Sequence, residues 1–238
     1  MRHTHIIRLS LALTLLTFTA PHRGSSQQSP PPASAASQPC CGVITPEGQR
    51  LTHLLDSMDV QHRWLVHEHI DWETGAPDRP IGYTGPGTSS HCSAFAAAVA
   101  ERLNVYMLRP PDHSQILLAS AQAEWFHENP GTNSGWKALT GTGHERWAQE
   151  LANQGNLVVI VYESPDPHKP GHIVIVRPSG KSLAALNKEG PQITQAGMEN
   201  FNSSIAANSF THHPGAWPDN VRYYWHFVDW ARLKPATN

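Results

Sequence analysis

Charged side chains are scarce in this sequence. Asp, Glu, Lys and Arg make up 15% of its 238 residues, against about a quarter in an ordinary globular chain. The formal charge is -2 and the pI is near 6.8. Neither sign dominates, so no basic face is implied and nucleic acid is excluded as a partner class. Cysteine is scarcer still, with three residues at positions 40, 41 and 92. An odd count in an exported chain points to one thiol kept free for chemistry. Long apolar runs are lacking too. The longest, Leu9 to Ala20, is shorter than the stretch of about 20 residues that crosses a bilayer. Internal repeats are absent, so no solenoid or propeller is expected.

What is present begins with an export signal. Arg2, His3, His5 and Arg8 form a basic leader ahead of the apolar run, and the two together read as a signal peptide over residues 1–20. Pro21 follows Ala20 directly, which places an alternative cleavage near 24–26 or 33–36. Residues 21–44 are rich in Pro, Ser and Ala and read as a disordered linker, since they bury too little apolar surface to offset ordering entropy. Residues 45–238 form one catalytic domain, for which the 39% hydrophobic content supplies a core. The protein is expected to be secreted or periplasmic, with no stable membrane insertion once the signal is removed. The oligomeric state is left open.

Thr45, Pro46 and Glu47 make an N-cap, a first-position Pro and an acidic first turn. Leu51, Leu54, Leu55 and Met58 then recur at helical spacing, so a helix is expected over 46–59. Residues 64–72 suggest a strand or an extended segment. Residues 73–90, rich in Gly, Pro, Thr and Ser, form a long loop, and long loops inside compact domains are often functional. Helices are expected over 92–103, 114–127 and 143–153, the last capped by Thr142 and packing Trp147 and Leu151. A loop over 128–141 carries Trp136. Asn156 to Glu163 is a β-branched run and reads as a buried strand. Strands follow at 171–177, 191–196 and 221–228. Helices come first and an antiparallel sheet follows, an α+β plan.

A thiolate nucleophile needs a lowered pKa, a base for its proton and donors for the oxyanion that forms. Cys92 stands where a helix begins, after the polar Thr88-Ser89-Ser90. The helix dipole there favours the thiolate, and free first-turn N–H groups supply donors. His172 opens a strand directly after Gly171 and shares a face with Val174 and Val176. It is the candidate base. If strands 171–177 and 191–196 pair as a hairpin, Gln195 comes opposite His172 and can orient its ring. Gln192, three residues earlier and on the other face, is the alternative. A buried structural thiol and a His that caps a strand are the plainer readings of Cys92 and His172.

The segment from Tyr83 through Gly85-Pro86-Gly87 to His91-Cys92-Ser93-Ala94-Phe95 resembles the active-site segment of the NlpC/P60 superfamily, a Tyr and a Gly-rich loop ahead of Asp-Cys-Ser-Gly-Phe. Gly171-His172-Ile173-Val174-Ile175-Val176 is similar to the His-bearing strand of that superfamily and of CHAP amidases. His91 and Ala94 depart from the pattern, and Tyr83 stands closer to Cys92 than is usual. The resemblance covers residues 83–200. It implies a papain-like fold, a Cys-His-polar catalytic set, hydrolysis of amide bonds in peptidoglycan or peptides, and no cofactor. It suggests Tyr83 as an oxyanion donor and puts Ser93 beside the oxyanion and substrate.

Other readings compete. The 16 His raise the question of metal. His67 and His69 stand at i and i+2 and share a face if their segment is a strand. A zinc hydrolase would then draw further ligands from residues such as Asp112 or His113. A non-catalytic cell-wall binding module on the same fold is the second competitor. Trp136, Trp217 and Trp225 are candidates to line its groove, with Trp136 singled out for stacking on substrate. A transferase using the same thiol is the third. His212-His213 reads as a loop.

Overall fold

A computed structural model describes residues 39–233. The expected signal peptide and most of the expected linker lie outside these residues. The described chain is α+β: its seven helices are grouped around a six-stranded antiparallel sheet.

Helix α1 (Pro46–Ser57) starts as expected. Thr45 caps it by accepting from the Gly48 N–H at 3.2 Å, and Leu51 and Leu55 are fully buried. Helix α2 (Cys92–Arg102) is buried almost all round, with Ala94, Ala96, Ala97, Ala98 and Ala100 at 0–1% exposure. Its run of small side chains lets the helix lie close against the sheet, which explains an apolar helix with no polar face. Helix α3 (Leu118–His127) begins four residues later than the sequence suggests, because Leu117 adopts a left-handed backbone at φ 56°. A short helix α4 (Asn129–Asn133) and strand β1 (Lys137–Leu139) occupy the expected loop over 128–141. Helix α5 (His144–Asn153) follows, preceded by Gly143 rather than by a Thr142 cap.

Strands β2 (Leu157–Tyr162) and β3 (His172–Val176) form the centre of the sheet. Helix α6 (Leu183–Glu189), strand β4 (Gln192–Gln195), strand β5 (Phe201–Ile205), helix α7 (Ala206–Ser209) and strand β6 (Val221–His226) complete the chain, and the sheet order is β1-β6-β2-β3-β4-β5. The expected hairpin between β3 and β4 is present. Residues 64–72 form turns rather than a strand, with one isolated bridge between Ile70 and Pro77. Trp64 anchors that segment by packing on Phe95 at 5.3 Å and donating to Trp72 O at 3.0 Å.

Both faces of the central strands are covered. Leu157, Val159, Val161, Ile173 and Ile175 join α2 in one core, and Val158, Ile160, Val174, Val176 and Ile193 join Ala148 and Ala152 of α5 in the other. Each such aliphatic side chain contributes about 1.5–3 kcal/mol by burial. A one-residue slip would exchange the two sets, so the core pins the register. In that register Val161 faces Ile173 and Tyr162 faces His172.

The first described residues are held against the domain rather than free. Pro39 bridges to Ser182, the Cys40 N–H donates to Lys181 O at 2.9 Å, and the Asn153 side chain donates to Cys41 O at 3.0 Å. Cys40 and Cys41 are bonded to each other. Cys92 is the free thiol.

Candidate functional site

The site begins with the α2 N-terminus. His91 precedes Cys92 and is tied down through its ring, whose Nε2 bonds Glu68 O at 2.8 Å. From the other side Gln122 of α3, fully buried, donates through Nε2 to Ser93 O at 3.2 Å and to Leu108 O at 2.8 Å. Gln122 was missed in the sequence. The signal was a polar residue on the apolar stripe formed by Ala119, Ala123 and Phe126.

Cys92 is 2% exposed. Burial pushes its thiol up to about 11, opposed in part by the backbone amides of Ile173, Ser93 and Cys92 itself. The sulfur therefore sits between its own helix start and the start of β3. At neutral pH the thiol is un-ionised. The helix dipole expected to favour the thiolate is outweighed by desolvation.

Gly171 brings β3 into place. A Cβ there would lie 2.3 Å from Tyr162 O, so only glycine permits the approach. The Gly171 N–H donates to Ser120 Oγ of α3 at 3.0 Å. His172 follows, 4% exposed, and bonds Gln195 Oε1 through Nε2 at 3.3 Å. Gln195 Nε2 donates to Glu199 O at 2.9 Å. A carbonyl accepts only, so the Gln195 amide cannot flip without losing that bond. Its oxygen must then face the imidazole, which assigns the proton to His172 Nε2 and leaves Nδ1 as the basic nitrogen.

The imidazole does not reach the thiol. Among the described residues no hydrogen bond joins Cys92 to His172. Strand alternation explains it: Ile173 faces α2, whereas His172 lies on the other face with Val174. There its ring stacks on His213 at 5.2 Å and meets Phe210 edge-on at 5.3 Å. Burial, assisted by the nearby His213 and His212, pushes His172 down to about 3. His213, read from sequence as a loop residue, is thus the direct neighbour of the candidate base. A His-His pair without spacing carried no signal for it.

The remaining candidates are dispersed. Gln192 lies at the far end of β4 and donates to Ser203 Oγ at 2.8 Å. Tyr83 packs edge-on against His69 at 5.6 Å and its hydroxyl folds over Gly85, with no bond to Cys92 among the described residues. Ser93 is buried and offers its backbone amide to the sulfur. Trp136 is core: it is 2% exposed, donates to Tyr106 O at 2.8 Å and packs on Phe126 at 4.7 Å. A ring enclosed in this way cannot stack on substrate, so that expectation is withdrawn. His69 gives its Nδ1 proton to Asp78, while the His67 N–H donates to Thr88 O. Among the described residues no three His, Cys, Asp or Glu converge as a metal set.

A cavity of about 900 Å³ opens at the ends of β2 and β6, lined by Ser120, Val161, Tyr162, Glu163, Asn220 and Arg222 among others. Val161 is the register partner of Ile173, and Tyr162 that of His172. The cavity therefore lies beside the sheet end that carries His172, but neither His172 nor Cys92 lines it. Compared with models of known families, the chain matches none, and no curated protein sequence matches it.

Proposed function

We propose that this protein is an exported cysteine hydrolase of papain-like, NlpC/P60-type architecture, acting on amide bonds of peptidoglycan or related peptides. Cys92 is the nucleophile, His172 the base and Gln195 the residue that orients the base. No cofactor takes part. The observation that carries the reading is the chain from Glu199 O through Gln195 to His172. It fixes a basic Nδ1 one residue from the amide that faces the Cys92 sulfur. Turnover in this reading requires the β3 entrance to shift so that imidazole and thiol meet, because the structure holds both neutral and apart.

That separation is also what favours the second reading, a non-catalytic module that binds cell wall through the same fold. Digestion of purified peptidoglycan by wild type and Cys92→Ala, with products read by mass spectrometry, decides between them. New muropeptides from wild type alone support the hydrolase. Unchanged muropeptides from both, with wall binding retained, support the module.

A further inference from the structure

Away from Cys92, a groove runs between α5 and β6. One part, about 370 Å³, is lined by Trp147, Leu151, Gln154 and Trp225 among others. The next, about 530 Å³, shares Leu151, Gln154 and Trp225 and extends to Glu47, Phe227 and Trp230. Trp225 is the wall common to both. Each volume falls within the span of small-ligand pockets, about 300–1,000 Å³. Trp147 is 49% exposed and Phe227 64% exposed. Aromatic rings left in water along one concave strip mark a binding surface.

We infer that this groove binds a chain of neutral pyranose sugars, two or more rings long. Its chemistry selects that class. Cations are attracted to ring faces, but this chain supplies its own: Lys137 lies over Trp225 at 5.2 Å and Arg50 over Trp230 at 4.7 Å. Trp230 is further pinned by donating to Gly155 O at 2.8 Å. The rings are thus held rigid and their attraction for a ligand cation is already used. Trp147 and Phe227, exposed and with no cation over them among the described residues, keep flat apolar faces, bordered by hydrogen-bonding groups. Glu47 and Glu150 form no ion pair among the described residues, and Gln154 is exposed. A pyranose matches this pattern: its axial C–H bonds meet the electron-rich ring face, and its equatorial hydroxyls reach carboxylates and amides at the rim. Two compartments sharing one tryptophan call for successive rings on one chain. The assignment does not rest on the hydrolase reading, since no residue of the groove belongs to the Cys92 site.

Titration calorimetry on the full chain tests it, with a β-1,4-linked hexamer of N-acetylglucosamine, a β-1,4-linked hexamer of glucose and hexalysine as probes. One or both hexasaccharides are expected to bind wild type and Cys92→Ala equally. Trp225→Ala is expected to weaken binding at least tenfold. Trp225 is partly built into the sheet, so Trp147→Ala and Phe227→Ala, at exposed positions, are tested beside it and are expected to weaken binding several-fold with an unchanged far-UV spectrum. The inference is overturned if neither hexasaccharide binds, if hexalysine binds more tightly than both, or if the exposed-ring variants bind like wild type.

Discussion

Cys92 faces the backbone amide of Ile173, one residue along β3 from His172, and that single residue sets thiol and imidazole on opposite faces of the sheet. The cause is the alternation of a strand buried on both sides. Ile173 belongs to the α2 core and His172 to the face of Phe210 and His213. The pair is adjacent along the chain fold and still unbonded.

Native Cys92 is expected to be a poor nucleophile toward small alkylators. With its thiol pushed up to about 11, its thiolate fraction at pH 8 is about 100-fold below that of an ordinary cysteine. Iodoacetamide labelling, timed by intact mass, should be slow in the folded protein and fast in denaturant. Equal rates would contradict the buried, neutral thiol.

Stability should fall as pH is lowered from about 6.5 toward 3. His172 is pushed down to about 3 in the folded protein, and His213 is lowered in the same direction by burial and by His212. The unfolded chain therefore binds more protons in that window. A single such group costs up to about 1.4 kcal/mol per pH unit. Denaturant midpoints at pH 7, 6, 5 and 4 should decline in wild type and decline less in His172→Gln. Parallel curves would contradict the assignment.

In the proposed reaction Gln195 acts through His172. Gln195→Ala is expected to lower kcat by about 10- to 100-fold, the cost typical of losing an orienting partner, with little change in KM. Gln195→Glu should move the acid limb of the pH profile upward, since a carboxylate beside the ring favours the imidazolium. A purely structural glutamine would leave that limb in place.

Trp136→Ala should cost about 3–5 kcal/mol, as large aromatic truncations in a core do. Chemical denaturation measures it. A normal folding free energy with a raised KM would restore a substrate role for this ring.

The sequence carried the elements better than their consequences. The Thr45-Pro46 cap, the Ala-rich α2 and the β-branched run of β2 each state their structure locally, and all three stand as expected. The antiparallel pairing of β3 with β4 was legible, but its register sets Thr194 opposite Ile175, so Gln195 reaches His172 from a position nearer Val174 rather than directly opposite it. Helix α6, strand β5 and helix α7 were missed because stretches of seven, five and four residues are too short to show a period. Trp136 and Trp147 changed places: the ring assigned to substrate is core, and the ring assigned to packing is exposed. Periodicity fixes a face, but which face the fold covers is settled by distant residues such as Tyr106 and Phe126. Alternation along β3 was legible, and it put His172 with Val174. The side taken by α2 was not, since a helix buried all round has no stripe to aim it.

The most direct measurement follows activity and labelling together. The chain has three cysteines, and with Cys40 and Cys41 bonded to each other an alkylator has a single thiol to find. Wild-type protein is labelled in stages with iodoacetamide in the presence of peptidoglycan. The fraction modified at Cys92 is read by peptide mass mapping, and the remaining hydrolysis is read from released muropeptides. Activity should fall one-for-one with Cys92 modification. Full hydrolysis by protein completely alkylated at Cys92 would contradict the account.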